Sequence, residues 1–471
     1  MASFDLIVIG SGPGGYIAAI RGAQLGLSTA LVEKDTVLGG TCLHRGCIPA
    51  KTWLESAHRF EQMQQAAEFG IQGVDAGALR ADLAAIVKRK NRIVLKNAKG
   101  IEFLMKKNKV TVLKGFGRLG GKGKVEVQGE AGTEVHEAKR IILATGSVPR
   151  DLPGLEADGR RVLNSDHILE IPELPSHLVI LGAGAIGVEF ASVFARLGSK
   201  VTLVELLDSV LPIEDEAVGQ ELARIFTKQH KMDIRCGTRI TGVERFEDRV
   251  ICHLEGLKPG TLEASHLLVA VGRAPVTGGV GLEQTAAIMD RGCVAVDAFM
   301  RTAEPGLYAI GDVVRTPWLA HVASDEGLVA AEHAAQSLGV GVHPHPVNYD
   351  RVPGCTYCDP EVGSIGLTER AARERGFEVQ VGSFPFMPMA KANIVGEPHG
   401  FIKIVAEKKY GEILGIHILG PKATELVASS VAILAGELTV DALIQTMYPH
   451  PTLNEVFPEA ARAVHGRALN A

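Results

Sequence analysis

Leu6-Ile7-Val8-Ile9-Gly10-Ser11-Gly12-Pro13-Gly14-Gly15 is an apolar run that stops at closely spaced glycines; a small-residue segment, Gly26 and Leu31-Val32-Glu33 follow. The chain then does this again. Leu178-Val179-Ile180-Leu181 leads into Gly182-Ala183-Gly184-Ala185-Ile186-Gly187, a second small-residue segment, Gly198 and Leu203-Val204-Glu205. The offset from first glycine to helix-ending glycine is 16 in both copies (26 − 10 and 198 − 182). The offset to the acid is 23 in both (33 − 10 and 205 − 182). Equal offsets mark an internal repeat of one strand-turn-helix-strand unit.

Each unit fulfils the structural condition of the Rossmann fingerprint. Gly10, Gly12 and Gly15, like Gly182, Gly184 and Gly187, permit a tight turn and close approach of a pyrophosphate to a helix N-terminus. Glu33 and Glu205 are placed to hydrogen-bond a ribose. The fold class is therefore α/β, with two Rossmann-like domains that bind two dinucleotides. A carboxylate at Glu205 suits the free hydroxyls of NAD and would face the extra phosphate of NADP. Leu206, Leu207 and Asp208 supply no arginine to hold that phosphate.

Just after the first unit comes Gly39-Gly40-Thr41-Cys42-Leu43-His44-Arg45-Gly46-Cys47-Ile48-Pro49-Ala50-Lys51. Two cysteines five apart on an ideal helix would have Cα atoms roughly 8 Å apart on nearly opposite faces, beyond the ~7 Å limit of a relaxed disulfide. A bridge needs irregular backbone, and Gly46 offers it. Pro49 suits a first helical turn, and Ala50 to Phe69 reads as that helix, with Trp53, Ala57, Phe60 and Met63 on one face. Cys47 would lie at the positive end of its dipole, where a thiolate is stabilised. An exchangeable disulfide beside a bound cofactor is a redox centre.

The 471 residues hold 46% hydrophobic and 22% charged residues, room for two to four domains with ample core. Net charge is −5 and no basic block stands out, so nucleic acid is not an expected partner. Seven cysteines are too scattered for a secreted disulfide scaffold. Met1-Ala2-Ser3-Phe4 runs straight into a strand, which reads as leaving no room for a targeting peptide, and no apolar stretch is long enough to span a membrane. The expected compartment is cytoplasmic.

Ile141 to Ser147 and Leu267 to Arg273 look like matching strand ends of the two units, and Leu307 to Asp312 is a buried strand ending in Gly-Asp. The expected division is 1–148 with 275–346, then 149–274, then a third domain of 347–471.

Together these motifs, with Ala309-Ile310-Gly311-Asp312, Val362-Gly363-Ser364-Ile365-Gly366-Leu367-Thr368-Glu369 and His450-Pro451-Thr452-Leu453-Asn454-Glu455, resemble the pyridine nucleotide–disulfide oxidoreductases along essentially the whole chain. The resemblance implies FAD in the first domain, NAD in the second and an α+β dimerisation domain at the C-terminus. It implies that Cys47 contacts the flavin and Cys42 meets the substrate. Lys51 and Glu189 would pair near the flavin's reactive edge. His450, oriented by Glu455, would be the acid–base group, lent to the partner subunit of a homodimer. Thr41, Gly115, Thr145, Gly146, Asp312 and Ala320 would join the flavin site, and Gly272 the nicotinamide site; no metal is implied. The favoured activity is oxidation of a protein-bound dihydrolipoyl group through the disulfide and FAD, with hydride passed to NAD. Lipoyl domains of 2-oxo acid dehydrogenase complexes, or the lipoylated glycine-cleavage H protein, would be the partners. An NADPH-dependent glutathione or mercuric-ion reductase, and a flavin-binding sensor without turnover, are the alternatives.

The match departs from the family in places. Leu43-His44-Arg45-Gly46 replaces the commoner Leu-Asn-Val-Gly, which would set positive charge beside both thiols. Tyr448 stands where many relatives carry another histidine. Cys355 and Cys358, on a probable strand, should point to opposite faces as packing thiols, and Cys236, Cys252 and Cys293 read as core residues. Val427, Val431, Ile433 and Leu434 form an apolar helix face that could pack across a two-fold axis.

Overall fold

The computed structural model describes residues 2–470, which divide into two compact units. The first contains residues up to Thr52, Ala85–Arg150 and Arg273–Tyr349; the second contains Trp53–Ala84, Asp151–Gly272 and residues from Asp350 onward.

In the first unit, Ser3–Ile9 is flanked by parallel partners Thr29–Glu33 and Gly132–Leu143, and Leu307–Ala309 adds to the far side of the latter. Leu6, Ile7, Val8, Leu31 and Ile142 are fully buried, the continuous apolar reading expected of parallel strands covered on both faces. The register sets Ile9 beside Val32 and Leu143, and Leu143 beside Ala309, so four strands end along one edge. Ligands of doubly wound sheets bind outside such carboxyl ends.

In the second unit, His177–Leu181 lies between Lys200–Val204 and His266–Val269 in the same parallel arrangement, with Leu181 beside Val204 and Val269. The repeat in sequence is a repeat in register. This unit also holds a five-stranded antiparallel sheet built from Gly354–Thr356, Glu361–Gly366, Ile413–Gly420, Phe401–Glu407 and Val379–Pro385, in that order.

Four expectations are corrected. The helix expected over Ala50–Phe69 spans Cys47–Gln64, with a separate 3-10 turn at Ala66–Phe69. Pro49 falls inside its first turn, where no backbone N–H is needed, and Met63 is exposed rather than core. The apolar face of the helix Ala423–Ala435 covers its own sheet: Val427, Ile433 and Leu434 are buried in one cluster with Ile365, Ile416 and Ile418, and Val431 packs against it. A helix on an antiparallel sheet must bury its apolar stripe there first, so this face is not left for a two-fold contact. Cys355 and Cys358 do not share a strand, because the strand ends at Thr356; Cys358 is buried and its thiol donates to the Pro360 carbonyl at 3.2 Å. Cys252 and Cys293 are core residues as expected, whereas Cys236 is half-buried between strands. No helix among the described residues is long and apolar enough to cross a membrane.

Candidate active site

The two glycine turns are near-copies. Gly10 and Gly182 both have φ +103°, in the left-handed region, and a Cβ on either would overlap a strand-end carbonyl, Ala144 or Ala270. A Cβ on Gly15 would overlap the Gly10 oxygen, and one on Gly187 the Gly182 oxygen. The middle glycines differ from these: a Cβ on Gly12 or Gly184 would meet nothing within 4 Å. Gly12 and Gly184 are also the N-caps of the helices Pro13–Gln24 and Ala185–Arg196, and neither helix has a side-chain cap. Each turn thus offers open space against uncapped N–H groups, a cradle that fits a pyrophosphate.

Glu33 and Glu205 close the cradles in parallel fashion. Glu33 Oε2 accepts from the Ser11 N–H at 3.0 Å and Oε1 from the Asp35 N–H at 2.8 Å. Glu205 Oε2 accepts from the Ala183 N–H at 2.6 Å and Oε1 from the Leu207 N–H at 2.9 Å. Both carboxylates are buried and held by backbone, with lone pairs left for ribose hydroxyls.

Around the first cradle, Asp312 sits in the turn Gly311–Val313 after Leu307–Ala309 and accepts from the Ser147 hydroxyl. Burial pushes its carboxyl up, against the opposing effects of Ser147 and the Arg273 guanidinium. Arg273 Nε donates to Ser147 Oγ at 2.7 Å. Thr145 Oγ1 donates to the Val276 carbonyl at 2.7 Å, Thr41 Oγ1 lies 3.4 Å from the Ser147 carbonyl, and the Gly115 N–H donates to the Glu33 carbonyl at 2.9 Å. Gly146 and, in the second unit, Gly272 both have positive φ and open space at Cβ. Ala320 opens the helix Ala320–Gln336. Sequence reading missed Ser147, Arg273 and Glu326. Glu326 is fully buried and accepts from the Gly311 N–H at 2.6 Å, fixing the turn that carries Asp312; a Glu inside an Ala-rich helix was its only signal.

The cysteine loop is stitched to this cradle. Cys42 lies in the short helix Gly40–His44 and Cys47 is the first residue of the next helix, with the break at Arg45 and Gly46. A Cβ on Gly46 would sit 3.0 Å from the Thr41 oxygen and 3.2 Å from Cys42 Cα, so its absence lets the two segments close up. The Cys42 thiol is pushed up by its hydrogen bond with Cys47 and then by burial, while the Lys51 ammonium, one turn along the same helix, opposes this. Gly40 backs onto the cradle, a Cβ there falling 2.6 Å from Gly12 Cα, and the Gly39 N–H donates to Ser11 Oγ at 3.0 Å. The positive charge expected beside the thiols is committed elsewhere. Arg45 pairs with Asp35 at 2.6 Å, and His44 Nε2 bonds the Leu38 carbonyl at 2.8 Å.

The remaining expected residues belong to the second unit. Glu189 is buried on Ala185–Arg196, its Oε1 accepting from the Tyr357 N–H at 3.0 Å. His450 Nδ1 is 2.9 Å from Glu455 Oε1, while Glu455 Oε2 accepts from the Thr452 N–H at 2.9 Å in a capping box. The Glu455 carboxyl is lowered, His450 and the Thr452 N–H outweighing its burial. The carboxylate favours the tautomer with the proton on Nδ1, which leaves the lone pair on Nε2 of an exposed ring.

Residues 4–327 match the family described as Pyridine nucleotide-disulphide oxidoreductase, and residues 352–461 match its dimerisation domain. The chain is 41% identical to a dihydrolipoyl dehydrogenase of Bacillus subtilis and 42% identical to one of Cupriavidus necator, with 99% of each chain covered. Among solved structures, LpdA from Mycobacterium tuberculosis aligns with a TM-score of 0.88 at 28% identity, over 98% of this chain and 99% of that one. The HOCl-induced flavoprotein disulfide reductase RclA from Escherichia coli aligns at 0.83 and 26% identity, over 97% and 99%. The repeated cradle, the cysteine loop fastened to its first copy and the end-to-end likeness to these relatives have one reading: the chain belongs to the pyridine nucleotide-disulphide oxidoreductase family.

Proposed function

We propose that this protein is a dihydrolipoyl dehydrogenase, with FAD on the first cradle and NAD on the second. The observation that carries the reading is the fastening of the Cys42–Cys47 loop to the first glycine turn through Gly40 and Ser11. FAD held by the Gly10–Gly15 turn and Glu33 would supply the two-electron redox chemistry that links the dithiol to NAD. The protein's own groups handle the sulfur and proton chemistry. A substrate thiolate attacks Cys42, and Cys47 leaves as thiolate at the first turn of its helix, where the dipole favours it. His450 Nε2 takes the substrate's proton, and Glu455 stabilises the resulting imidazolium. Lys51 and Glu189 act as a pair at the flavin, and a lipoylated acyltransferase or H protein presents the substrate. The division into FAD, NAD and dimerisation domains belongs to the same proposal, as does the loan of His450 to the partner subunit of a homodimer.

Turnover of dihydrolipoamide with NAD, compared with NADP and with glutathione disulfide as substrate for the reverse direction, tests the activity. Dihydrolipoamide with NAD should be the preferred pair by about 100-fold; preference for NADPH and glutathione disulfide would overturn the assignment. Two-electron reduction should raise a long-wavelength thiolate–flavin band that Cys47→Ser abolishes and Cys42→Ser keeps; the opposite pattern reverses the roles of the two thiols. For the shared site, a verified mixed dimer of Cys42→Ser and His450→Ala chains should regain near half of wild-type activity, having one intact site of two. Background activity alone would place the histidine in its own subunit's site.

A further inference from the structure

Glu326 lies within the helix Ala320–Gln336 and has no exposed surface, so an acid is kept where water cannot stabilise it. Both of its oxygens are spent on donors. Oε2 accepts from the Gly311 N–H at 2.6 Å, and Oε1 accepts from the Tyr349 hydroxyl at 2.9 Å. Gly311 opens the turn Gly311–Val313 that carries Asp312. Asp312 is set from its other side as well. Arg273 Nε donates to Ser147 Oγ, so the Ser147 hydroxyl proton is directed at Asp312 Oδ2. Asp312 Oδ1 has no partner among the described residues and is the acceptor left for a cofactor hydroxyl.

The helix that carries Glu326 is itself fixed to the helix of the first cradle, Pro13–Gln24. A Cβ on Gly14 would fall 2.6 Å from the Ala323 oxygen, and one on Gly327 would fall 2.5 Å from the Gly14 oxygen. The two backbones therefore meet with no side chain between them. Further along both helices, Arg21 Nη2 lies 2.7 Å from Glu332 Oε1. Glu326 is the residue before Gly327, so it stands at this crossing and reaches from it to Gly311. It is a strut between the glycine turn and the Asp312 turn. Tyr349, itself half-buried, holds the second oxygen and stops the carboxylate from turning away.

We propose that Glu326, secured by Tyr349, is a positioning residue for FAD: it sets the separation of the glycine turn and Asp312, and so forms the flavin site in advance without touching the cofactor. The inference rests on FAD occupying the first cradle. A site whose two halves are already at the right separation loses little freedom when it is filled, and it binds more tightly than one whose turn must be ordered by the ligand. With both acceptors removed, the Gly311 N–H and the Tyr349 hydroxyl would be left without partners, and the turn would shift to find others.

The test is titration of the flavin-free protein with FAD, followed by flavin fluorescence, together with melting temperatures of the flavin-free and flavin-loaded forms. Glu326→Leu keeps most of the side-chain volume and removes both acceptors, and it should weaken FAD binding at least about 10-fold. Glu326→Gln keeps an oxygen for the Gly311 N–H and should restore most of that loss. Tyr349→Phe removes only the outer bond and should weaken FAD about 5-fold, which decides the matter should Glu326→Leu fail to fold. A positioning role also predicts that Glu326→Leu lowers the melting temperature of the loaded form more than that of the flavin-free form, since a weaker ligand adds less stability. FAD affinity equal to wild type in Tyr349→Phe or in folded Glu326→Leu, or equal losses of melting temperature in the two forms, would overturn the inference and leave the flavin assignment standing. No uptake of FAD by the wild type would overturn that assignment and the inference with it.

Discussion

The two glycine turns have the same φ, the same overlaps and the same carboxylate clasp, yet their surroundings differ at two equivalent positions. Where the first turn has Ser11, the second has Ala183; where Asp35 follows Glu33 by two residues, Leu207 follows Glu205. Ser11 Oγ bonds Glu33 and receives the Gly39 N–H, and Asp35 binds Arg45, so the first cradle is tied at two points to the cysteine loop. Ala183 has no group with which to make such a tie, and Leu207 is exposed. One geometry therefore serves two tasks. Under the proposed function, the cofactor that must keep register with a disulfide would be wired to it, and the one that must exchange each cycle would be held by backbone and a single acid.

The sharpest way to break this comparison is to make the same substitution in both turns. Gly15→Ala and Gly187→Ala create the same overlap with a carbonyl oxygen. Gly15→Ala should abolish flavin incorporation, read from absorbance of the purified protein. Gly187→Ala should keep its flavin and its reduction by dihydrolipoamide but lose NAD-dependent turnover by about 100-fold or more. Loss of flavin from Gly187→Ala would show that the turns are not independent.

Next in size is the acid of the second cradle. Like-charge apposition with the ribose phosphate of NADP costs ~3 kcal/mol, about 100-fold in affinity. Glu205→Ala should narrow the NAD preference mainly by improving NADP, as measured by kcat/KM for both nucleotides. Equal wild-type efficiencies would remove the basis of the argument.

Ser11→Ala turns the first cradle into a copy of the second. Two hydrogen bonds are lost at about 1 kcal/mol each, so FAD should bind roughly 10- to 30-fold more weakly on reconstitution of the flavin-free protein. Ala183→Ser should change NAD binding little, because its hydroxyl gains at most the Glu205 oxygen that the Ala183 N–H already holds. An unchanged FAD dissociation constant in Ser11→Ala would mean that the tie to the loop carries no energy.

The smallest effect concerns ion pairs. Asp35–Arg45 is substantially exposed, whereas in the second unit Lys403 Nζ binds the buried Asp215 at 2.8 Å and Glu369 at 2.9 Å. Asp215 is lowered because Lys403 and the Glu369 N–H outweigh its burial, and Glu369 is lowered chiefly by Lys403. A carboxyl lowered in the folded state stabilises above its unfolded value and ceases to as pH falls through the folded one. Lys403→Met should melt about 2–6 °C below wild type at neutral pH, and the gap should close as pH drops below about 4. Arg45→Met should show almost no such gap, since exposed pairs contribute little. A gap between wild type and Lys403→Met that stays constant down to acid pH would rule out a stabilising Lys403–Asp215–Glu369 cluster.

Much of this molecule was legible in its residues because the pieces are local. A glycine turn, its acid 23 residues on and a cysteine pair around Gly46 are fixed by backbone sterics and short-range spacing, so the two cradles and the redox loop could be read directly. The reading went wrong where a long-range partner decides. His44 and Arg45 look like charges for the thiols until Leu38 and Asp35 are found holding them. The face of Val427, Ile433 and Leu434 looks available until the chain's own sheet lies beneath it, since periodicity shows that a stripe is buried but not by what. Ser147, Arg273 and Glu326 carry no motif, and only the folded chain sets them around Asp312. Sequence alone determined which backbone turns this protein makes and which chemistry-bearing side chains flank them. Tertiary structure decided which charges are already neutralised and which apolar surfaces are already covered, because pairing and burial depend on residues far apart in the chain.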